Sequence, residues 1–380
     1  MAKGNLGFGW MRLPLKSGDT GDIDHELVKK MVDEYMTAGF NYFDTSFVYH
    51  DGKSENAIKE CLVKRKPRDS FLLASKLPTF IIKEEQQVVD IFQQQLENCG
   101  VDYFDYFLLH NLNLIRYEGE VKSCRMFEHL QEWKREGKIR HIAFSFHDSA
   151  DVLDKILSEH PEVEAVQIVV NYFDWEASFI QARKCYETIR KHGRQVLIME
   201  PVKGGLLAKA PEEAEKLLKE SQPNASIASW AMRFAGELEG VLAVISGMSN
   251  PEQVKDNIAT MQNLKPLSDK ERDLLREVVR IYHASGPAQM SDFSAYEKIN
   301  PRGISAAAVV ETWNSCLLQP VPTFAAEQNY FSTEKAKHKI KMDEPCFPEK
   351  IMLEDGTDAT KLVKEAEKFL TETMFFKYDV

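Results

Sequence analysis

Between residue 6 and about residue 262 the chain repeats one alternation. A short apolar run, rich in aromatic and β-branched residues, is followed by a longer stretch with apolar positions at helical spacing. The runs are LGFGW (6–10), FNYFDT (40–45), FLLASK (71–76), YFDYFLLH (103–110), IRHIAFS (139–145), AVQIVV (165–170), QVLIME (195–200) and VLAVIS (241–246). Such alternation predicts parallel strands joined by crossover helices. Of the intervening stretches, HELVKKMVDEYMTAG and EQQVVDIFQQQLENCG end on Gly39 and Gly100, where a left-handed cap closes a helix, and FEHLQEWKREGK has the same spacing. Eight units in roughly 250 residues is the size of a TIM barrel. A doubly wound open sheet competes, but no GxGxxG follows the first run and eight regular units favour closure. The predicted fold class is therefore α/β, a (β/α)8 TIM barrel over residues 1–265.

Beyond about residue 265 the rhythm stops. A charged helix, LSDKERDLLREVVRIYHA, leads into SGPAQMSDFSAYEKINPRG, then a helical stretch around 304–317, a segment punctuated by PVPTF and PCFP, and a last helix near 358–375. Residues 266–380 are read as a mostly helical C-terminal appendage, because a barrel accounts for only about 250 residues.

Composition narrows the class. With 43% hydrophobic and 28% charged residues the chain is globular rather than disordered or fibrous. Its 48 basic and 59 acidic residues are interspersed and sum to −11, so no nucleic-acid or anionic-lipid surface is advertised. No apolar run approaches the ~20 residues of a membrane helix, and MAKGNLGFGW lacks the succession of a signal peptide. The six cysteines are scattered without a CxxC, which predicts reduced thiols and a cytoplasmic protein with neither bridges nor a metal site.

Barrel enzymes carry their reactive side chains at the C-terminal ends of strands. Asp44 ends the second run, Lys76 the third and His110 the fourth, and Tyr49 lies five residues after Asp44. Each alone has an ordinary reading, as a helix N-cap, a solvated lysine, or a structurally satisfied histidine. On three consecutive strands of one barrel face, they favour a site. A phenol is a poor acid at neutral pH, but an adjacent ammonium favours its anion and makes it a usable proton donor. Asp44 would hold Lys76 charged and oriented, and His110 would donate to a carbonyl oxygen as charge develops there. Such a set polarises a carbonyl for hydride attack, and the hydride must come from a cofactor because no side chain supplies one.

Asp44, Tyr49, Lys76 and His110, in FDTSFVY, ASKLP and LLHN, resemble the catalytic tetrad of the aldo/keto reductases. GKSENAIKECL, GKIRHIAFSFH, MEPVKGGLL and VISGMSNPEQVKDNI resemble further landmarks of that family, in order, within residues 4–262. The resemblance implies that Tyr49 is the proton donor, that Lys76 and Asp44 tune it, and that His110 orients the carbonyl. For NAD(P)H it implies Ser145 and Gln167 at the carboxamide, Gly204, Gly205 and Leu206 near the pyrophosphate, and Ser246, Gly247, Ser249, Gln253 and Asn257 at the adenosine end. Three positions depart from the pattern. Met199 stands where many members place a stacking Tyr, and Ser145 is followed by Phe146 rather than Asn. Positions that usually hold Lys and Arg against a 2′-phosphate read Gly247 or Met248 and Gln253, which leaves NADP and NAD both open.

The appendage is similar to the ferredoxin-like segment that ends one branch of the family, whose cluster motif is C-x2-C-x2-C-x3-C-P. Aligned on Pro301, the ligand positions read Met290, Phe293, Tyr296 and Asn300, and around PCFPEKI only Cys346 remains. Met, Phe, Tyr and Asn cannot replace thiolates, so no iron–sulfur cluster is expected. These residues either pack across the barrel mouth or form a small structural cap. His50, His147 and Trp175 follow site motifs and are read as incidental or as pocket lining, and Cys99, Cys124 and Cys185 as core fillers. An NAD(P)-dependent oxidoreductase of aldehydes, ketones or sugars leads. A Schiff-base lyase using Lys76 and a non-enzymatic NAD(P)-binding regulatory subunit stand as alternatives. The expected partner is a small carbonyl or alcohol molecule, and the oligomeric state is not legible.

Overall fold

A computed structural model of the chain describes residues 5–347 and 350–378, which leaves Pro348 and Glu349 of PCFPEKI and residues 1–4 of the N-terminal segment outside. Eight parallel strands close a barrel in sequence order: β1 (Leu6–Gly9), β2 (Tyr42–Asp44), β3 (Leu72–Leu77), β4 (Phe104–Leu112), β5 (Ile139–Phe146), β6 (Ala165–Val169), β7 (Gln195–Met199) and β8 (Val241–Gly247). β8 pairs back onto β1 through Leu6 with Val244 and Gly9 with Gly247. The TIM barrel expected from eight repeated units is thus the architecture observed. The helices close where the glycines predict, with Gly100 (φ 66°) ending Glu85–Cys99 and Gly39 (φ 82°) just past His25–Thr37.

Side chains alternate between the two faces of a strand. Tyr42, Ala74, Leu108, Ala143, Ala165, Leu197, Ala243 and Ile245, drawn from seven strands, pack into one buried cluster. The opposite face carries residues such as Phe43, which meets Phe8, Tyr35 and Phe71. Tyr35, on the helix His25–Thr37, donates its hydroxyl to the carbonyls of Leu6 and Tyr42 at 2.7 and 2.9 Å and so ties that helix to β1 and β2. Two residues beyond members of the cluster come Asp44, Lys76, His110, Ser145, Gln167, Met199 and Gly247. The period that builds the packed core therefore also sets the polar residues of the C-terminal rim on one face. β4 runs two residues past its predicted end, with an irregular register between Leu109 and Leu112 and Asn111 at φ 61°. Irregularities of this kind collect at barrel rims, where they re-aim side chains.

Behind β3, Glu55 accepts hydrogen bonds from Ser75 Oγ (2.7 Å), Gln95 Nε2 (2.7 Å) and Asn98 Nδ2 (3.1 Å) while fully buried. Glu55→Ala strips the acceptor from three donors, two of them on buried residues, and is expected to lower the unfolding free energy by about 3 kcal/mol. Urea denaturation measures this, and a loss under about 1 kcal/mol would show that the network is dispensable.

Contacts divide the chain into two compact units. The first comprises 1–169, 185–201 and 232–266 and carries all eight strands; the second comprises 170–184, 202–231 and 267–380. This partition differs from a single cut at residue 265. The reason lies in packing within the second unit, where Phe179, from the segment after β6, joins a core with Val309, Val310, Trp313, Phe331, Val363 and Leu370. Tyr296 is buried in that core, and Met290 and Phe293 pack against it, so three of the four residues at the cluster-ligand spacing serve as apolar filler, while Asn300 is exposed. Cys346 lies in the same core, where burial pushes its thiol up to about 12. All six cysteines are buried and unbridged. Among the described residues, no helix is long and apolar enough to cross a membrane, and no cluster of His, Cys, Asp and Glu is arranged to hold a metal ion.

Candidate active site

At the C-terminal ends of β2 and β3, the fully buried Lys76 ammonium donates to Asp44 Oδ1 at 2.5 Å, to the Thr45 carbonyl at 2.8 Å and to Tyr49 Oη at 3.3 Å. Gln167 on β6 donates to the other Asp44 oxygen at 3.1 Å. The Tyr49 ring stands edge-on to His110, with centroids 5.8 Å apart. Asp44, Lys76 and His110, predicted at three strand ends, and Tyr49, on the loop after Asp44, are thus gathered into one cluster. Ser46 Oγ lies 3.0 Å from His110 Nδ1, and the neighbouring Thr79 hydroxyl donates to the His110 carbonyl at 2.7 Å.

Burial pushes the Asp44 carboxyl up and works to push Lys76 down, while the ion pair favours the charged form of both; Lys76 ends above the ordinary lysine value and remains a cation. Burial, joined by the charges of Lys76 and Arg116 and by His147, holds His110 well below the usual imidazole range. Burial and Arg116 push His147 down to about 3. Both rings are therefore neutral at pH 7.

A histidine whose folded pKa is depressed stabilises the fold above its unfolded value of about 6.5, and that stability drains as pH falls toward the folded value. The unfolding free energy is expected to be level from pH 8 to 7 and to decline between about pH 6.5 and 4.5, before most carboxylates titrate. His147→Asn should make that decline shallower in urea titrations at stepped pH, with His110 carrying part of the remainder. An identical slope in the variant would show that His147 carries none of it.

The positions expected to meet a dinucleotide fall in both units. In the first, Ser145 near the end of β5 and Gln167 midway along β6 are register partners, and Ser145 Oγ accepts the Asn111 N–H at 2.7 Å. Met199 is partly exposed at the end of β7. After β8, Asn257 Nδ2 donates to Ser246 Oγ (3.0 Å), the Ser249 N–H to Gln253 Oε1 (2.7 Å), and the Gln253 N–H to Asn250 Oδ1 (2.9 Å). These bonds cap and open the helix Pro251–Gln262, whose N-terminus suits an anion. In the second unit, Gly204 and Gly205 take consecutive left-handed conformations, φ 63° and 97°. A Cβ on Gly204 would lie 2.3 Å from Phe324, whereas one on Gly205 would meet nothing within 4 Å. The Leu206 carbonyl accepts the Tyr282 hydroxyl at 3.2 Å.

Some participants carried no sequence signal. Ser46 sits in FDTSFVY, yet nothing in that motif says that it meets a histidine 64 residues away. Arg12 takes a Ser249 hydroxyl bond on its carbonyl at 2.8 Å, and its stem covers Gly247, where a Cβ would lie 3.2 Å from Arg12 Cβ. His50 is a brace: its Nε2 accepts the Leu13 N–H at 3.1 Å and its Nδ1 lies 2.6 Å from the Thr20 carbonyl. Trp175 lies in the second unit, half-buried. Cys99, Cys124 and Cys185 are buried, as expected of core fillers.

Residues 5–280 match the model of the Aldo/keto reductase family. The chain is 23% identical over 301 residues to an NADH-specific methylglyoxal reductase of Escherichia coli, covering 68% of this chain and 89% of that protein. It is 25% identical over 295 residues to an L-galactose dehydrogenase of Arabidopsis thaliana, covering 73% and 89%. Among solved structures it is similar to an aldo-keto reductase from Bacillus halodurans in its holo form, with TM-score 0.58, 24% identity, and coverage of 73% and 93%. It is also similar to an aldo-keto reductase from Klebsiella pneumoniae in complex with NADPH, with TM-score 0.59, 18% identity, and coverage of 73% and 96%. At these identities the structural likeness speaks to the fold alone.

Proposed function

The chain belongs to the aldo/keto reductase family and is an NAD(P)-dependent oxidoreductase of carbonyl and alcohol substrates; we propose that Tyr49, Lys76, Asp44 and His110 are its reacting groups. The observation that carries this reading is the buried Lys76 ammonium, which touches Asp44 and Tyr49 together. The Tyr49 phenol gives its proton to the substrate oxygen, and the ammonium at 3.3 Å stabilises the phenolate left behind. Asp44 and the Thr45 carbonyl keep the ammonium charged and aimed. In the tautomer that this role requires, the neutral His110 ring accepts from Ser46 on Nδ1, carries its proton on Nε2 and offers it to the same substrate oxygen.

When bound, the nicotinamide cofactor supplies the hydride. In the unit that carries the strands, a capped helix N-terminus after β8 fits an anionic dinucleotide. Ser145 and Gln167 would hold its carboxamide, Met199 its ring, Gly204, Gly205 and Leu206 its pyrophosphate, and Ser246, Gly247, Ser249, Gln253 and Asn257 its adenosine end. The Lys76–Asp44 pair argues against imine chemistry, because an ammonium has no lone pair with which to attack a carbonyl. Family membership likewise leaves a purely regulatory role unfavoured. Six buried, unbridged thiols support a reducing compartment, and the cytoplasm is the proposed location.

Fluorescence titration with NADPH and with NADH, followed by a panel of aldehydes, ketones and sugars, tests the assignment. Micromolar binding of one cofactor and its carbonyl-dependent oxidation are expected. Tight binding without turnover of any carbonyl would overturn the catalytic reading.

A further inference from the structure

Ser46, two residues beyond Asp44 at the end of β2, touches both of the groups proposed to meet the substrate oxygen. Its carbonyl accepts the Tyr49 N–H at 3.2 Å, and its Oγ lies 3.0 Å from His110 Nδ1. The Tyr49 carbonyl in turn accepts the Gly52 and Ser54 N–H groups at 3.1 and 3.2 Å, so the turn that carries the phenol starts on Ser46 and closes just past the ring. On the histidine side, the Thr79 hydroxyl holds the His110 carbonyl at 2.7 Å, which fixes the backbone and leaves the ring to be fixed by another group. Among the described residues, the hydrogen bond that reaches the His110 ring is the one to Ser46.

A hydroxyl beside an imidazole nitrogen can donate or accept, and the surroundings of Ser46 decide between the two. The residue is fully buried, and among the described residues its Oγ has no hydrogen-bond partner besides Nδ1. If Nδ1 carried the ring proton, the Ser46 hydroxyl proton would be buried without an acceptor, a penalty of about tenfold or more in population. With the bond running the other way, the hydroxyl proton is accepted by Nδ1 and the ring proton moves to Nε2. His110 is partly exposed, so a proton there can be offered outward. The ring is neutral beside Lys76, Arg116 and His147, so it has a single proton to place, and its placement decides whether the ring can donate.

We propose that Ser46 is a positioning residue of this site. Its hydroxyl donates to His110 Nδ1 and so sets the ring proton on Nε2, while its carbonyl holds the start of the Tyr49 turn. One residue thereby aligns both donors to the substrate oxygen. The proposal rests on the reductase reading for the parts played by Tyr49 and His110.

Nitrogen-15 NMR of histidine-labelled protein at neutral pH reads the tautomer, with His110→Asn identifying the His110 signals among ten histidines. The native protein should show Nδ1 unprotonated and Nε2 protonated. Ser46→Ala should move part of the proton population onto Nδ1 and lower kcat for carbonyl reduction by about three- to tenfold, with the Kd for NAD(P)H within about twofold. Ser46→Thr, which keeps the hydroxyl, should restore the native signals and most of kcat. Should the extra methyl of threonine unfold the protein, the native spectrum and the alanine variant decide the matter. A proton on Nδ1 in the native protein, an unchanged tautomer in Ser46→Ala, or an unchanged kcat in that variant would each overturn the proposal. Tyr49→Phe tells this failure from that of the reductase reading. Native turnover by Tyr49→Phe condemns the assignment of the reacting groups, whereas a slow Tyr49→Phe beside a fully active Ser46→Ala condemns the role of Ser46 alone.

Discussion

Tyr49→Phe is expected to lower kcat for carbonyl reduction by about 10²–10⁴-fold while leaving the Kd for NAD(P)H within about twofold. The substitution removes one oxygen, the one that Lys76 touches at 3.3 Å, and keeps the ring that faces His110. Nothing on the dinucleotide side changes, so binding and chemistry should part cleanly. Stopped-flow absorbance and fluorescence titration read the two quantities. A drop confined to cofactor affinity would show that Tyr49 shapes the pocket without supplying a proton.

Lys76→Met combines a stability loss with an activity loss. The methionine leaves Asp44 3% exposed with Gln167 as a remaining donor and no cation, and breaking a buried pair in this way costs about 3–5 kcal/mol. Reduction should fall at least as far as in Tyr49→Phe, because the phenol loses its ammonium. The double variant Asp44→Asn with Lys76→Met separates the two effects, since removing both charges relieves the uncompensated carboxylate. It is expected to recover much of the stability in urea and none of the turnover. Recovered turnover would mean that the ammonium is structural.

The barrel was legible because its strands are buried on both faces and therefore read as apolar runs, eight times over. The clustering of Asp44, Lys76 and His110 was legible through strand parity. Ala74 and Lys76, or Leu108 and His110, share a face because they lie two apart, and a polar residue at the end of such a run has one place to point. What the sequence could not show depends on contacts between distant strands. Ser46 meets His110 through the packing of β2 against its neighbours, and Arg116 reaches that corner by way of Phe80, from a different loop. Arg12 lies 237 positions from Ser249 and adjoins it only because β1 pairs with β8. The C-terminal region was harder for a related reason. Phe179 belongs by sequence to the barrel's repeat, yet it is buried among the terminal helices, and no periodicity along the chain records that choice.

Single-turnover reduction with cofactor deuterated at the transferred position tests the central claim most directly. The native protein should deliver deuterium to the former carbonyl carbon at a rate at least a hundredfold above that of Tyr49→Phe. A product without deuterium at that carbon, or equal rates in the two proteins, would contradict the claim.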